Sequence, residues 1–182
     1  MKRLLEVGKV LLILWGLLSL IATVVFVGIA AFALWGGSQE PNKTASINDV
    51  QFILNRCNLG GSRIEEVLHS YRSPIALRGD GVDAHAIRVS HLEATELTRD
   101  DAGSGWVQGD HADGVLKDAI EFVLGWAHQD DIWWFPNSDE LTSSEMYVYS
   151  WSIHFEGTHL SAAQLIFVRP KDKMVFYFDG KT

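Results

Sequence analysis

The sequence predicts an α+β protein: an N-terminal transmembrane helix, then a small domain of helices packed on an antiparallel sheet with a C-terminal three-strand meander. Three observations predict this fold. Residues 10–35 form a run of 26 uncharged, mostly apolar residues. One amphipathic helical pattern occupies the middle of the chain, and three segments rich in aromatic and β-branched residues lie near its end. Helical patterns followed by consecutive strands are typical of α+β domains, and we expect the helices to pack on one face of the sheet.

The apolar run is long enough to cross a bilayer as a helix. A helix rises about 1.5 Å per residue, and the hydrocarbon core is about 30 Å thick. Trp15 and Trp35 are positioned to reach the two membrane interfaces, where tryptophan is enriched. Because removable signal peptides have apolar regions of only about 7–15 residues, residues 10–35 predict an uncleaved anchor that contacts the lipid bilayer.

The flanking charges predict the orientation of this anchor. The segment before it carries three basic residues and one acidic residue, whereas Glu40 and Lys43 cancel after it. Positive flanks stay in the cytoplasm. Residues 1–9 are therefore predicted to be cytoplasmic, and the C-terminal part is predicted to be exported across the inner membrane in a single-pass topology.

The exported part is predicted to comprise a linker and one acidic domain. Residues 36–46 (GGSQEPNKTAS) have the polar, Gly- and Pro-containing composition of a linker, which leaves residues 47–182 as an extracytoplasmic α+β domain. The chain after residue 35 carries twelve basic and twenty-two acidic side chains. Such a charge disfavours nucleic acid and favours a basic partner or cations.

Cysteine usage is consistent with a bacterial envelope protein that depends on its apolar core. Cys57 is the only cysteine, which excludes an intrachain disulfide. A catalytic thiol needs a base and an electropositive setting, whereas residues 53–57 (ILNRC) have the character of an ordinary apolar segment, so we expect Cys57 to be buried and inert.

A helix is predicted at the start of the domain. Ser46 and Asp49 have the spacing of a capping box, and Gly60-Gly61 ends the segment. Between them, apolar residues recur at helical spacing: Ile47, Val50, Ile53, Leu54 and Cys57.

The next segment allows two interpretations. Ser62 and Glu65 repeat the capping-box spacing and favour a second helix, whereas residues 66–73 also fit a strand; Pro74 ends either one. Residues 84–92 alternate between two faces, which predicts a strand.

The clearest predicted helix of the domain covers residues 112–126. Asp110 and Asp113 are expected to cap its start. Its predicted core stripe consists of Val115, Leu116, Ala119, Phe122, Val123 and Trp126.

A three-strand meander is predicted after this helix. The strands are expected at residues 146–156, 163–169 and 173–179. Residues 170–173 are expected to form the last hairpin turn.

Histidines beside carboxylates suggest one enzymatic hypothesis. His85, His111 and His128 each lie next to aspartates and are weak candidate ligands for a metal-assisted hydrolase of the cell envelope. The chain has no His-Glu-x-x-His or Cys-x-x-Cys signature, no nucleophile elbow and no phosphate-binding glycine loop. We therefore expect no cofactor and assign no catalytic residue.

Large aromatic side chains suggest a surface for a protein partner. Five are candidate partner-binding residues: Trp133, Trp134, Tyr147, Tyr149 and Trp151. The last three, with Ile153 and Phe155, are predicted to share one strand face. Adjacent residues of an extended segment point to opposite sides, so one of Trp133 and Trp134 is expected to be exposed.

The order of anchor, short linker and small acidic domain resembles that of bacterial membrane-tethered immunity and adaptor proteins. This likeness is architectural and transfers no residue role. It implies a non-enzymatic protein whose exported domain binds another protein. A structural envelope component with contacts through the anchor is a third hypothesis.

Overall fold

The computed structural model describes residues 14–29, 44–73, 80–98 and 105–182. The chain divides into two compact units, Met1–Gln39 and Glu40–Thr182, which are described separately. Together the described residues contain five α-helices and a six-stranded antiparallel sheet, as expected for an α+β protein.

In the first unit the described residues form one helix, α1, over residues 14–29. In the part of the chain that the structure covers, no helix has both the length and the apolar character needed to cross a membrane. The predicted span of residues 10–35 extends at both ends beyond the described residues of α1. Residues 36–43 of the predicted linker also lie outside the described ranges.

The second unit is built on one antiparallel sheet with the strand order β1-β2-β6-β5-β4-β3. Its strands are β1 (Ile64–Arg72), β2 (Gly81–Val89), β3 (Trp106–Gln108), β4 (Tyr147–Glu156), β5 (His159–Arg169) and β6 (Met174–Lys181). Its α-helices are α2 (Ile47–Arg56), α3 (Ala94–Leu97), α4 (Gly114–Gln129) and α5 (Ser138–Leu141). Short 3₁₀ helices cover Gly61–Arg63, Gly109–His111 and Pro170–Asp172.

The predicted meander is present, because β4, β5 and β6 are neighbours in the sheet. Its last turn is the 3₁₀ helix Pro170–Asp172, followed by Lys173 in the left-handed conformation. β2 inserts beside β6 and joins the meander to β1, which forms one edge of the sheet. The segment with two interpretations is therefore a strand, since β1 pairs with β2 throughout its length.

Helices cover both faces of the sheet, so the prediction that they pack on one face only is wrong. On one face, α4 packs its buried residues Ala119, Ile120 and Val123 against β5 and β6. On the other, α2 contributes Val50 and Ile53 to a second core. The reason is visible in the central strands, where apolar residues occupy both alternating sets, so both faces require burial. We call these the α4 face and the α2 face.

Helix α2 begins as predicted. The carboxylate of Asp49 accepts hydrogen bonds from the backbone N–H and the hydroxyl of Ser46, at 2.9 and 2.7 Å. Cys57, at the end of this helix, is buried, and burial raises the pKa of its thiol to about 12. A thiol with so high a pKa is almost entirely protonated at neutral pH and is a poor nucleophile.

Helix α4 differs from its prediction at its N-terminus. Asp113 occupies the N-cap position, but its side chain makes no capping hydrogen bond, and Asp110 lies in a separate 3₁₀ helix. Val115, predicted in the core stripe, is half exposed, whereas Ile120 is buried. The buried stripe is therefore rotated relative to the predicted one, and it continues to Ala127.

Candidate functional site

A groove of about 340 Å³ lies at the C-terminal end of α4. We call it the α4 groove. It is lined by three residues of the last turns of α4, by the loop that follows and by the start of α5: Leu124, Ala127, His128, Asp131, Ile132, Trp133, Phe135, Pro136, Asn137 and Ser138. Apolar side chains supply much of this lining, and polar side chains supply the rest. This composition is typical of a binding site.

A tight turn after α4 directs the side chains of residues 132–135 (IWWF). Asp131 adopts the left-handed conformation with a φ of 52°, and the N–H of Ile132 donates to the carbonyl of Ala127 at 2.9 Å. A further hydrogen bond joins the N–H of Phe135 to the carbonyl of Ile132 at 2.9 Å. Ile132 and Phe135 are buried as a result.

Among the described residues of the domain, Trp133 is the most exposed large apolar side chain, with 78% of its surface accessible. Its neighbour Trp134 is partly buried against the core of the α4 face. One of the two tryptophans is thus exposed, as expected. These residues form a turn rather than an extended segment, so it is the turn that places the two side chains on different sides.

His69, on the edge strand β1, contacts both tryptophans. Its ring stacks on Trp134 with centroids 5.4 Å apart and planes 14° apart, and it meets Trp133 at 5.2 Å and 70°. Trp133 is therefore supported from the sheet while most of its indole remains accessible. An exposed but supported tryptophan can bury a large area on binding with little loss of conformational entropy.

The α4 groove has an acidic character. Asp131 is exposed at its rim, and the negative end of the α4 dipole lies beside it. Among the described residues that line the groove, none is lysine or arginine. The groove therefore favours a positively charged group.

The structure does not bring the five predicted partner-binding residues together. Trp133 and Trp134 lie on the α4 side, whereas Tyr147, Tyr149 and Trp151 of β4 belong to the α2 face. Tyr147 is buried there. Two separate regions therefore replace the single aromatic surface suggested by the sequence.

Trp151 is engaged by neighbouring side chains. The guanidinium of Arg56 lies over its ring at 4.5 Å, and Phe52 and Tyr177 contact it at 5.8 and 6.3 Å between centroids. The predicted single face of β4 is wrong beyond this point, because the strand register shifts between Ser150 and Ser152. Such a bulge reverses the alternation that follows it.

Ile153 and Tyr149 show the effect of this bulge. Ile153 packs against the core of the α4 face. Tyr149 packs on the α2 face, where its ring centroid lies 5.3 Å from that of Trp106.

The three histidines proposed as metal ligands lie apart. His85 is on β2 and contacts the α2 face, His111 is in the 3₁₀ helix before α4, and His128 is at the end of α4. Within the described ranges, no group of three or more His, Cys, Asp or Glu side chains is arranged to hold a metal ion. The metal-assisted hydrolase therefore has no geometric observation in its favour.

A polar network that sequence reasoning missed lies on the α2 face. The hydroxyl of Ser70 is 3.0 Å from Nδ1 of His85, and Nε2 of His85 is 3.0 Å from Oδ1 of Asp83. Arg72 donates to the other oxygen of Asp83 at 2.7 Å. His85 is only 4% exposed. The sequence places Asp83 and His85 on one strand face, but Ser70 joins them only through the β1–β2 register.

Serine, histidine and aspartate in contact resemble a nucleophilic triad in composition, but two observations favour a structural role. The backbone N–H of Ala45 donates to the Ser70 hydroxyl at 2.9 Å. Oδ1 of Asp83 makes no well-aligned hydrogen bond to any described group, despite its 3.0 Å separation from His85. The imidazole is also buried away from solvent, and the network joins β1, β2 and the chain that enters α2.

Two carboxylates in this network lie directly opposite each other, Asp83 on β2 and Asp179 on β6. Burial tends to raise the pKa of Asp83, but the nearby His85 ring and the hydrogen bond and charge of Arg72 leave it lowered. For Asp179, burial raises the pKa, and the nearby charge of Asp83 adds to the increase against a hydrogen bond from Gln164. Asp179 is thus the carboxyl group of the pair whose ionised form is disfavoured in the folded domain.

Replacing Asp179 with asparagine is expected to stabilise the domain at neutral pH by about 0.2–1 kcal/mol, the scale of a directly opposed cross-strand pair. Because the pKa of Asp179 is raised in the folded domain, its ionised form is less favourable there than in the unfolded chain. This cost is absent below the unfolded-state pKa, where the carboxyl is protonated in both states, and it is fully present once the pH exceeds the folded-state pKa. The advantage of Asp179→Asn should therefore vanish in acid.

Urea unfolding at a series of pH values measures this difference. Asp118→Asn, at an exposed position of α4, is the matched control and should show no comparable gain. A loss of stability for Asp179→Asn at neutral pH would contradict the assignment.

No known protein family, curated protein or solved structure matches this chain.

Proposed function

We propose that this chain is a single-pass membrane protein whose exported acidic domain binds a protein partner at the α4 groove, in an immunity or adaptor role. The observation that carries the binding proposal is Trp133. A tryptophan that is 78% exposed, supported by His69 and set beside a groove is the kind of side chain that dominates protein interfaces.

The sequence supports the membrane part of the proposal. The uncharged run of residues 10–35 matches the length of a bilayer span, and the basic residues before it favour a cytoplasmic N-terminus. The domain would then face the periplasm or the cell exterior, anchored in the inner membrane. No nucleic acid is expected among its partners, since its charge is strongly acidic.

Reporter fusions after Thr182 test this topology in the full chain. Alkaline phosphatase, which needs an oxidising compartment, is expected to be active, whereas green fluorescent protein exported through the general secretory route should be dark. A matched variant that changes Lys2, Arg3 and Lys9 to glutamate should weaken this preference. The opposite reporter pattern in the unmodified chain would overturn the proposed orientation.

The binding role is tested by purifying the full chain from membranes of its host with its bound proteins. The unmodified chain and Phe155→Ala, which truncates a different exposed aromatic residue, should retain a common partner in near-stoichiometric amount. Trp133→Ala should lose it while the domain stays folded. Identical sets of bound proteins for all three chains would contradict a partner site at the α4 groove.

A further inference from the structure

The α4 groove presents three features that favour the same chemical group. The first is the accessible indole of Trp133. Its contact with His69 is close to edge-on, at 70° between the ring planes, and 78% of the side chain is exposed. Tryptophan is the aromatic ring that attracts cations most strongly, and a planar guanidinium can stack on it.

The second feature is negative charge in the same groove. Asp131 immediately precedes Ile132 and Trp133 and lies exposed on the rim of the groove. The C-terminal end of α4 adds the negative pole of a 16-residue helix. The described lining residues include no lysine or arginine that would already neutralise this charge.

The third feature is the apolar lining of the groove. Leu124, Ala127 and Pro136 contribute side chains that can cover an aliphatic stem. Arginine has such a stem, together with a terminal group that stacks on aromatic rings and binds a carboxylate through two parallel hydrogen bonds. Lysine has a comparable stem, but its ammonium is a compact point charge that neither stacks nor binds bidentately.

We propose that the α4 groove binds an arginine side chain of the partner, with the guanidinium on Trp133 and against Asp131. This inference rests on the proposed function and deepens it, because it assigns the partner a basic segment with an arginine next to apolar residues. The acidic balance of the exported part of the chain agrees with a basic partner.

Four labelled pentapeptides test the inference against the full chain in detergent micelles. Their central residue is arginine, citrulline, lysine or glutamate, flanked on each side by leucine and glycine. Citrulline preserves the shape of arginine without its charge. Fluorescence anisotropy should show that the arginine peptide binds at least tenfold more tightly than the citrulline and glutamate peptides and more tightly than the lysine peptide. Added salt should weaken its binding.

Variants of the chain locate the binding site. Trp133→Ala should weaken binding of the arginine peptide at least tenfold, and Asp131→Asn should weaken it severalfold. Asparagine tolerates the left-handed backbone at position 131, so this variant removes charge with little strain. Phe155→Ala should bind as the unmodified chain does.

Equal binding of arginine and citrulline peptides, equal binding of arginine and lysine peptides, or unchanged binding by Trp133→Ala would each overturn the inference. Failure of the inference can be distinguished from failure of the proposed function. If Trp133→Ala loses the native partner but the arginine peptide does not bind, the groove has a partner of different chemistry. If the native partner is also retained, the groove is not the interface.

Discussion

Replacing Phe135 with alanine is expected to lower the free energy of unfolding by about 3–5 kcal/mol. Phe135 is 8% exposed and brings the loop after α4 into the core of the α4 face. Its ring meets those of Phe167, Phe176 and Phe178 at 5.8, 6.1 and 5.6 Å between centroids. Alanine would leave a cavity among three aromatic rings, and the covering loop would lose its attachment.

Trp133→Ala, two residues earlier, is the matched control for this prediction. Its side chain is mostly in solvent, so the free energy of unfolding should change by no more than about 0.5 kcal/mol. Urea unfolding of the full chain in mild detergent, followed by circular dichroism, measures both variants. Comparable losses for the two substitutions would mean that Trp133 belongs to the core and is not available to a partner.

Gly109→Ala is expected to be strongly destabilising, by about 3 kcal/mol, the upper part of the range for overpacked sites. A Cβ atom at Gly109 would press on the backbone carbonyl oxygens of Leu141 and Ser143. Backbone cannot rotate away as a side chain can. The hydrogen bond from the N–H of Gly109 to the carbonyl of Met146, at 2.8 Å, holds this close approach in place.

Gly125→Ala is the opposite case in the same domain. Apart from the adjoining residues and backbone of α4 itself, no atom lies within 4 Å of a Cβ built at Gly125, which is exposed on α4. Alanine should therefore stabilise the helix by about 0.5–1 kcal/mol through its higher helix propensity. Thermal unfolding should move the melting temperatures of the two alanine variants in opposite directions. A stabilised Gly109→Ala would contradict the packing between Gly109 and the α5 region.

Local patterns predicted the elements whose signals are local. The Ser46–Asp49 capping box begins α2, and the aromatic and β-branched segments form β4, β5 and β6. Ser62 and Glu65 have the same capping-box spacing but belong to no α-helix. Pairing with β2 and burial of Val67 decide that segment in favour of a strand. Tertiary contacts thus override a capping pattern that carries little energy alone.

Long-range features could not be predicted in the same way. Both faces of the sheet are buried because α2 and α4, which are distant in sequence, pack on opposite sides of it. The bulge at Trp151 has no Gly or Pro signal, so the change of face at Ile153 was missed. The network of Ser70, His85 and Asp83 requires the exact β1–β2 register, which alternation within one strand does not contain.

The candidate site was partly predictable. Adjacent tryptophans before a proline indicated that one would be exposed, and the structure identifies Trp133. The support from His69 and the position of Asp131 at the rim depend on the turn after α4 and on the place of β1 in the sheet. Neither follows from the spacing of residues in the sequence.

Photo-crosslinking in living cells measures whether position 133 contacts a partner protein. A photoreactive phenylalanine analogue is introduced at position 133 or, as the control, at position 155 of the full chain. The proposed function predicts one discrete adduct from position 133, containing the protein that purifies with the unmodified chain, and no such adduct from position 155. No adduct from position 133, or the same adducts from both positions, would contradict a partner site at the α4 groove.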